Sequence, residues 1–241
     1  VLEYWDSDDP AGSRERFTLA AEQATDPARR QALLTQVARA HGLDGAFDSG
    51  HQVLDELGEL NGLDTEPRVR LALERGRLLR SAGDPAGCAP YFREAYDAAL
   101  TTGMAGLAAD AAHMLALVLP DEEETWTERG LRAAAGSSDP LALSMTGGLL
   151  NNRGWALADA GSWADAYALF DRAVEARSRV EGPSAASALH VARWARARAT
   201  RALGRHDEAL AELRELAATE LGAADSYVTE EIAANESRRR D

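Results

Sequence analysis

A chain of 241 residues, 45% hydrophobic and 27% charged, is long enough for one or two globular domains. Its formal charge of −14 excludes nonspecific binding to nucleic acid or anionic lipid, because both need positive charge to displace counterions. Cys88 is the sole cysteine, which excludes an internal disulfide, and no apolar run approaches bilayer length, so a cytoplasmic protein with no membrane contact is expected. All 26 basic residues are arginine and Ile232 is the only isoleucine. With heavy alanine use, that bias points to a GC-rich bacterial genome.

The first predicted element is a helix over 11–25, opened by Asp9-Pro10, an acid at the N-cap followed by a proline that needs no amide partner. Five helical hairpins follow over 28–219. Their first helices span 28–43, 68–82, 104–119, 140–160 and 184–203; their second helices span 46–60, 84–101, 121–136, 162–180 and 205–219. A last helix over 225–237 precedes Arg238-Arg239-Arg240-Asp241. It either caps the stack or is the first helix of a further repeat in a longer chain, and the arginine run reads as a solvated tail. No stretch alternates apolar and polar residues long enough to compete as a strand.

A recurring spacing defines the hairpins. A small residue is followed seven positions on by a turn glycine, then by another small residue and a bulky apolar one. The clearest copies run Gly154, Gly161, Ala166, Phe170, Ala173 and Gly76, Gly83, Cys88, Phe92, Ala95. Looser ones run Ala38, Gly45, Gly50, Leu54, Leu57 and Ala197, Gly204, Ala209, Leu213, Leu216. The small residues let paired helices cross closely, and the glycine ends the first helix in a left-handed conformation. Around Ala112-His113, Pro120 and the acidic run Asp121 to Glu124 replace the glycine turn. Arg75, Arg153 and Arg196 precede the small residue and leave the packing at that position open.

These residues, Gly76-Arg77-Leu78-Leu79 with Gly83-Asp84 and Gly154-Trp155-Ala156-Leu157 with Gly161 and Trp163 above all, resemble the tetratricopeptide (TPR) repeat. Tyr4-Trp5-Asp6, Asn151-Asn152, Ala192-Arg193-Trp194 and Tyr227-Val228 are similar to a bacterial group of stand-alone TPR proteins with no assigned activity. The resemblance implies an all-α, right-handed α-α superhelix that fills 1–241 as a single solenoid of five hairpins between capping helices. It also implies that first helices line a concave groove and second helices form the outer surface.

Charge sorts by helix. The first helices carry +3, +4, −1, 0 and +4, together +10, and the second helices carry −4, −2, −3, 0 and −2, together −11. On the TPR pattern, the residue after the small one faces the groove: Arg39, Arg77, His113, Trp155 and Arg198. Four positions earlier stand Thr35, Leu73, Ala109, Asn151 and Trp194; three later stand Gly42, Arg80, Ala116, Ala158 and Arg201. The candidate groove residues are therefore Arg39, Arg77, Arg80, His113, Asn151, Trp155, Trp194, Arg198 and Arg201. Guanidinium forks suit carboxylates or phosphates, indoles supply contact area, and an asparagine amide pairs with a peptide backbone. The expected partner is an acidic protein or peptide, or a small anionic ligand. The dicarboxylate clamp for chaperone tails is not implied, since its lysines are absent.

Competing readings attach to the same residues. The arginines either bind ligand or pair with acids on adjacent second helices, and the two tryptophans either line the groove or pack between repeats. His113 either is structural or acts as a base with a late carboxylate such as Glu230. The histidines at 41, 51, 113, 190 and 206 have no metal-ligand spacing, and no phosphate loop with its lysine exists, so no catalytic residue, metal or cofactor is expected. Cys88, in a small-residue position, should be buried and unreactive. A scaffold without catalysis leads; a self-assembling module is the alternative.

Overall fold

The computed structural model describes residues 2–6, 9–58, 65–181 and 184–238. Among them there is no strand. The chain falls into two compact units, Val1–Met145 and Thr146–Asp241. The first holds α1 (Pro10–Gln23), α2 (Pro27–Leu43), α3 (Phe47–Gly58), α4 (Thr65–Ser81), α5 (Pro85–Thr101), α6 (Ala105–Val118) and α7 (Glu123–Ala134). The helix α8 (Pro140–Asp159) begins in the first unit and ends in the second. The second continues with α9 (Trp163–Ser178), α10 (Ala185–Ala202), α11 (His206–Ala217), the short α12 (Glu220–Ala224) and α13 (Ser226–Arg238). The predicted hairpins are all present; α12, a five-residue helix capped by the Thr219 hydroxyl, was not anticipated. Arg239 to Asp241, the end of the arginine run, lies outside the described residues.

Local chemistry sets the helix ends. The carboxylates of Asp9, Asp26 and Asp84 accept from the amides of Gly12, Ala28 with Arg29, and Gly87, each just ahead of a proline that opens its helix. At the other end, Gly45, Gly83, Gly161 and Gly204 take φ between +75° and +88°. This left-handed turn lets the next amide reach back five residues, as from Asp84 N to Leu79 O and from Ser162 N to Leu157 O, both 2.9 Å. Where Pro120 replaces the glycine, a 3-10 turn over Pro120–Glu122 joins α6 to α7.

Packing within each hairpin follows the small residues. A Cβ on Gly76 would lie 2.5 Å from the Phe92 ring, and one on Gly154 would lie 2.5 Å from the Phe170 ring. The same contact in two hairpins shows that the spacing encodes close helix crossing. In the first unit α2 packs on α3 and α4, and α4 on α5, while α5 packs on α6 and α6 on α7. Phe92, Cys88, Leu73, Leu107 and Leu115 form the core of its largest cluster. Burial pushes the Cys88 thiol pKa up, as expected of an inert interior cysteine. In the second unit, α13 buries Val228, Glu231 and Asn235 on one face and exposes Tyr227, Thr229, Glu230 and Ala233 on the other.

Candidate functional site

In the first unit, the Arg39 guanidinium lies over the Trp5 ring, 5.2 Å from its centroid. Trp5 reaches that position from the N-terminal segment. Its ring packs edge-on against buried Phe17 at 5.0 Å, and its Nε1 donates to Gln36 Oε1 at 3.1 Å. The Ser13 hydroxyl fixes the segment by bonding the backbone of Asp6. Arg39 makes no ion pair among the described residues. Burial and then the charge of Arg77 lower its pKa, against a smaller opposing pull from Glu74 and Asp110.

Arg77 has the opposite fate. Its guanidinium bonds Glu74, three residues earlier on α4, and Asp110 on α6, each at 2.5 Å. Both acids are buried. Burial works against the Arg77 charge, but Asp110 and Glu74 outweigh it and its pKa rises. For Asp110, burial would raise the carboxyl, yet Arg77 and Arg39 outweigh it and hold the pKa below its usual value, with His113 adding a smaller push. His113 is thus half-buried beside a carboxylate. Arg80 is exposed and makes no ion pair among the described residues.

In the second unit three aromatic rings form a row. Trp155 of α8 stands 5.7 Å from Trp194 of α10, and Trp194 stands 5.8 Å from Tyr227 of α13. Trp155 also packs on Phe170. The Arg198 guanidinium sits over both indoles, 5.5 Å from Trp155 and 5.6 Å from Trp194. Glu231 approaches Arg198 only at 3.7 Å, while Arg201 takes the same carboxylate in a fork at 2.6 and 2.9 Å. The hydrogen bonds it donates to Glu231 raise the pKa of Arg201. Asn151 is buried, and its Oδ1 has no hydrogen-bond partner.

Two details of the sequence reading need correction. The acids that engage candidate arginines stand on the same or a neighbouring first helix and on α13, not on second helices. Of the arginines ahead of the small residue, Arg75 pairs with Asp55 of α3 at 2.8 Å, and Arg196 bridges two second helices through Asp171 and Glu212, each at 2.6 Å. Also, Thr35, Leu73 and Ala109 are buried rather than surface-lining, because that helical position packs against adjacent helices. Trp5 is the site residue that sequence reasoning missed. A tryptophan ahead of the first helix carries no periodic signal, although its place beside Tyr4 and ahead of Asp9-Pro10 marked the segment. A cavity of about 460 Å³ between α1 and α2 is lined by Arg14, Leu19, Val37 and His41 among others, and by none of the candidates.

The paired helices, glycine crossings and turn geometry can be set beside known structures. BtubC (BKLC) from P. vanneervenii superposes with a TM-score of 0.57 at 17% identity, over 87% of this chain and 87% of that one. The TPR-like repeats of a putative kinesin light chain from Podosopora anserina superpose at 0.52 and 15% identity, over 90% of this chain and 99% of that one. The fold is TPR-like. No protein-family model matches the sequence, and no curated protein matches it. A TPR-like architecture places no chemistry by itself, so function must be argued from the side chains above. Among the described residues, no group of three histidine, cysteine or acidic side chains is arranged to hold a metal ion, and no helix is long and apolar enough to cross a membrane.

Proposed function

We propose that the protein is a non-catalytic interaction scaffold that binds an acidic protein or peptide segment through arginines stacked on indoles. The carrying observation is that Arg39 and Arg198 occupy the same register position, the residue after the small one, and both guanidiniums lie over tryptophan rings. An aromatic face holds a guanidinium flat and leaves its N–H edge for a carboxylate. Among the described residues Arg39 has no ion-pair partner, and Arg198 has only a long contact. Each unit therefore carries one preorganised carboxylate receptor, with Asn151 and Trp194 suited to a peptide backbone and an apolar side chain. Arg77 and Arg201 support these receptors through Asp110 and Glu231. A small anionic ligand with a carboxylate group would use the same fork.

The test is thermal melting of the full chain against acidic peptides and small carboxylates at low and physiological salt. A salt-sensitive rise in melting temperature for acidic peptides, following mass action, is expected. It should shrink in Arg39→Met and in Arg198→Met. A flat response to every acidic peptide would overturn the proposal.

A further inference from the structure

The antiparallel pairing of α8 and α9 sets Gly154 against Phe170. Seven residues further toward the open end of the hairpin, the same interface sets Gly147 against Arg177. A Cβ on Gly147 would lie 2.6 Å from Arg177 Cγ and 3.0 Å from its Nε. In the α4–α5 hairpin the corresponding step, from Gly76 and Phe92, arrives at Val69 and Ala99, which are 1% and 0% exposed. The second hairpin has thus replaced an ordinary apolar pair by a glycine slot with a guanidinium threaded through it.

Among the described residues that guanidinium has no ion-pair partner. Arg177 Nε is sealed from solvent and has no acceptor, and no described carboxylate forms an ion pair with it. Burial alone accounts for the lowering of its pKa. The contrast within the chain is sharp, because there are 40 acidic residues, and Arg77, Arg196 and Arg201 each hold at least one of them in close contact. A partly buried charge without a counter-charge is destabilising unless something supplies one. The C-terminal dipole of α9 favours a cation in its last turn, but it does so equally for a solvated one and gives no reason for the slot. One turn along α8 from Gly147 stands Asn151, whose Oδ1 is also buried and without a donor.

We propose that Arg177 is the cationic centre of a separate oxyanion subsite at the open end of the α8–α9 hairpin, taking a carboxylate or a phosphate group. The slot at Gly147 fixes the aliphatic stem and the buried Nε, so the terminal nitrogens are presented in one orientation. That is the preorganisation a fork-to-oxyanion contact needs. The subsite uses a different arginine from the Arg39 and Arg198 receptors and does not depend on acidic-peptide binding there.

The experiment titrates the full chain with inorganic phosphate and, separately, with glutarate, reading melting temperature and heat of binding. Wild type should be stabilised by at least one of the two, and which one responds distinguishes a phosphate ligand from a carboxylate ligand. Arg177→Met should be as stable as wild type or more so without anion, and should bind the responding anion about tenfold more weakly or worse. Gly147→Ala keeps the charge but crowds the slot, and should weaken the same response. Arg39→Met and Arg198→Met should leave in place the phosphate response and whatever part of a glutarate response Arg177→Met removes, which separates this proposal from the peptide reading. Should Arg177→Met fail to fold, Arg177→Gln carries the same expectation. A wild-type chain indifferent to both anions, or an Arg177 variant that keeps the full response, would overturn the subsite.

Discussion

The two units place an arginine on an indole at the same point of the repeat, but they assemble the platform from different parts. In the first unit the indole is brought in by the N-terminal segment, and Trp5 is held there by Phe17, Gln36 and Ser13. In the second the indoles come from α8 and α10 themselves, and Arg198 bridges them. The neighbouring arginines differ too: Arg77 is clamped by two buried acids from first helices, whereas Arg201 is held by Glu231 of α13. Basic first helices therefore do not amount to a uniform basic surface. On the proposed reading, an arginine serves a ligand where a neighbouring segment offers it an aromatic face in place of a carboxylate.

Breaking the clamp of the first unit should have the largest effect. Asp110→Ala leaves Arg77 partly uncompensated in a buried setting and should cost about 3 kcal/mol, read from chemical denaturation. A loss under about 1 kcal/mol would show that Glu74 alone satisfies Arg77. The helix crossings should respond alike in both units. Gly76→Ala and Gly154→Ala each drive a methyl into a phenylalanine ring and should each cost about 1–3 kcal/mol despite better helix propensity. A marked difference between them would mean that the two crossings are not equivalent in solution.

The pH response sharpens the comparison further. Burial would raise the Asp110 carboxyl, but Arg77 and Arg39 bring it below its usual value. A depressed folded-state carboxyl stabilises fully above the unfolded pKa of about 3.9, and that stability is lost as pH falls through the folded value. Acid melting of wild type should therefore steepen below about pH 4, and Asp110→Asn should flatten this part of the curve. An unchanged curve would remove Asp110 from the account. The smallest effect is expected at Glu231→Gln, which loosens α13 by about 1 kcal/mol while freeing the edge of Arg201. Acidic peptides should bind this variant a few-fold more tightly; weaker binding would mean that Glu231 positions Arg198 rather than competes for it.

The fold was legible because its determinants are local and repeat. A glycine that must turn left-handed, a small residue at a crossing and an Asp-Pro start each leave a mark at fixed spacing, and Gly76 with Phe92 is matched by Gly154 with Phe170. The candidate site was legible only as a register. Spacing assigned Arg39, Arg77 and Arg198 to one register position and Arg201 to the position three residues later, yet their environments depend on which side chain a neighbouring segment offers. Asp110, Glu231 and Trp5 lie 33, 30 and 34 residues from the arginines they meet, and such pairings are set by tertiary packing. Arg177 was invisible for the same reason, since its peculiarity is the absence of an acid in three dimensions.

The most direct test of the stacked-arginine account is a double-mutant cycle on peptide binding. The affinity of a glutamate-rich peptide and of its glutamine counterpart would be measured on wild type, Arg39→Met and Arg198→Met. The account predicts that wild type prefers the glutamate peptide by tenfold or more, about 1.4 kcal/mol, and that each methionine variant loses most of that preference at its own platform. Equal preference in wild type and both variants would contradict it.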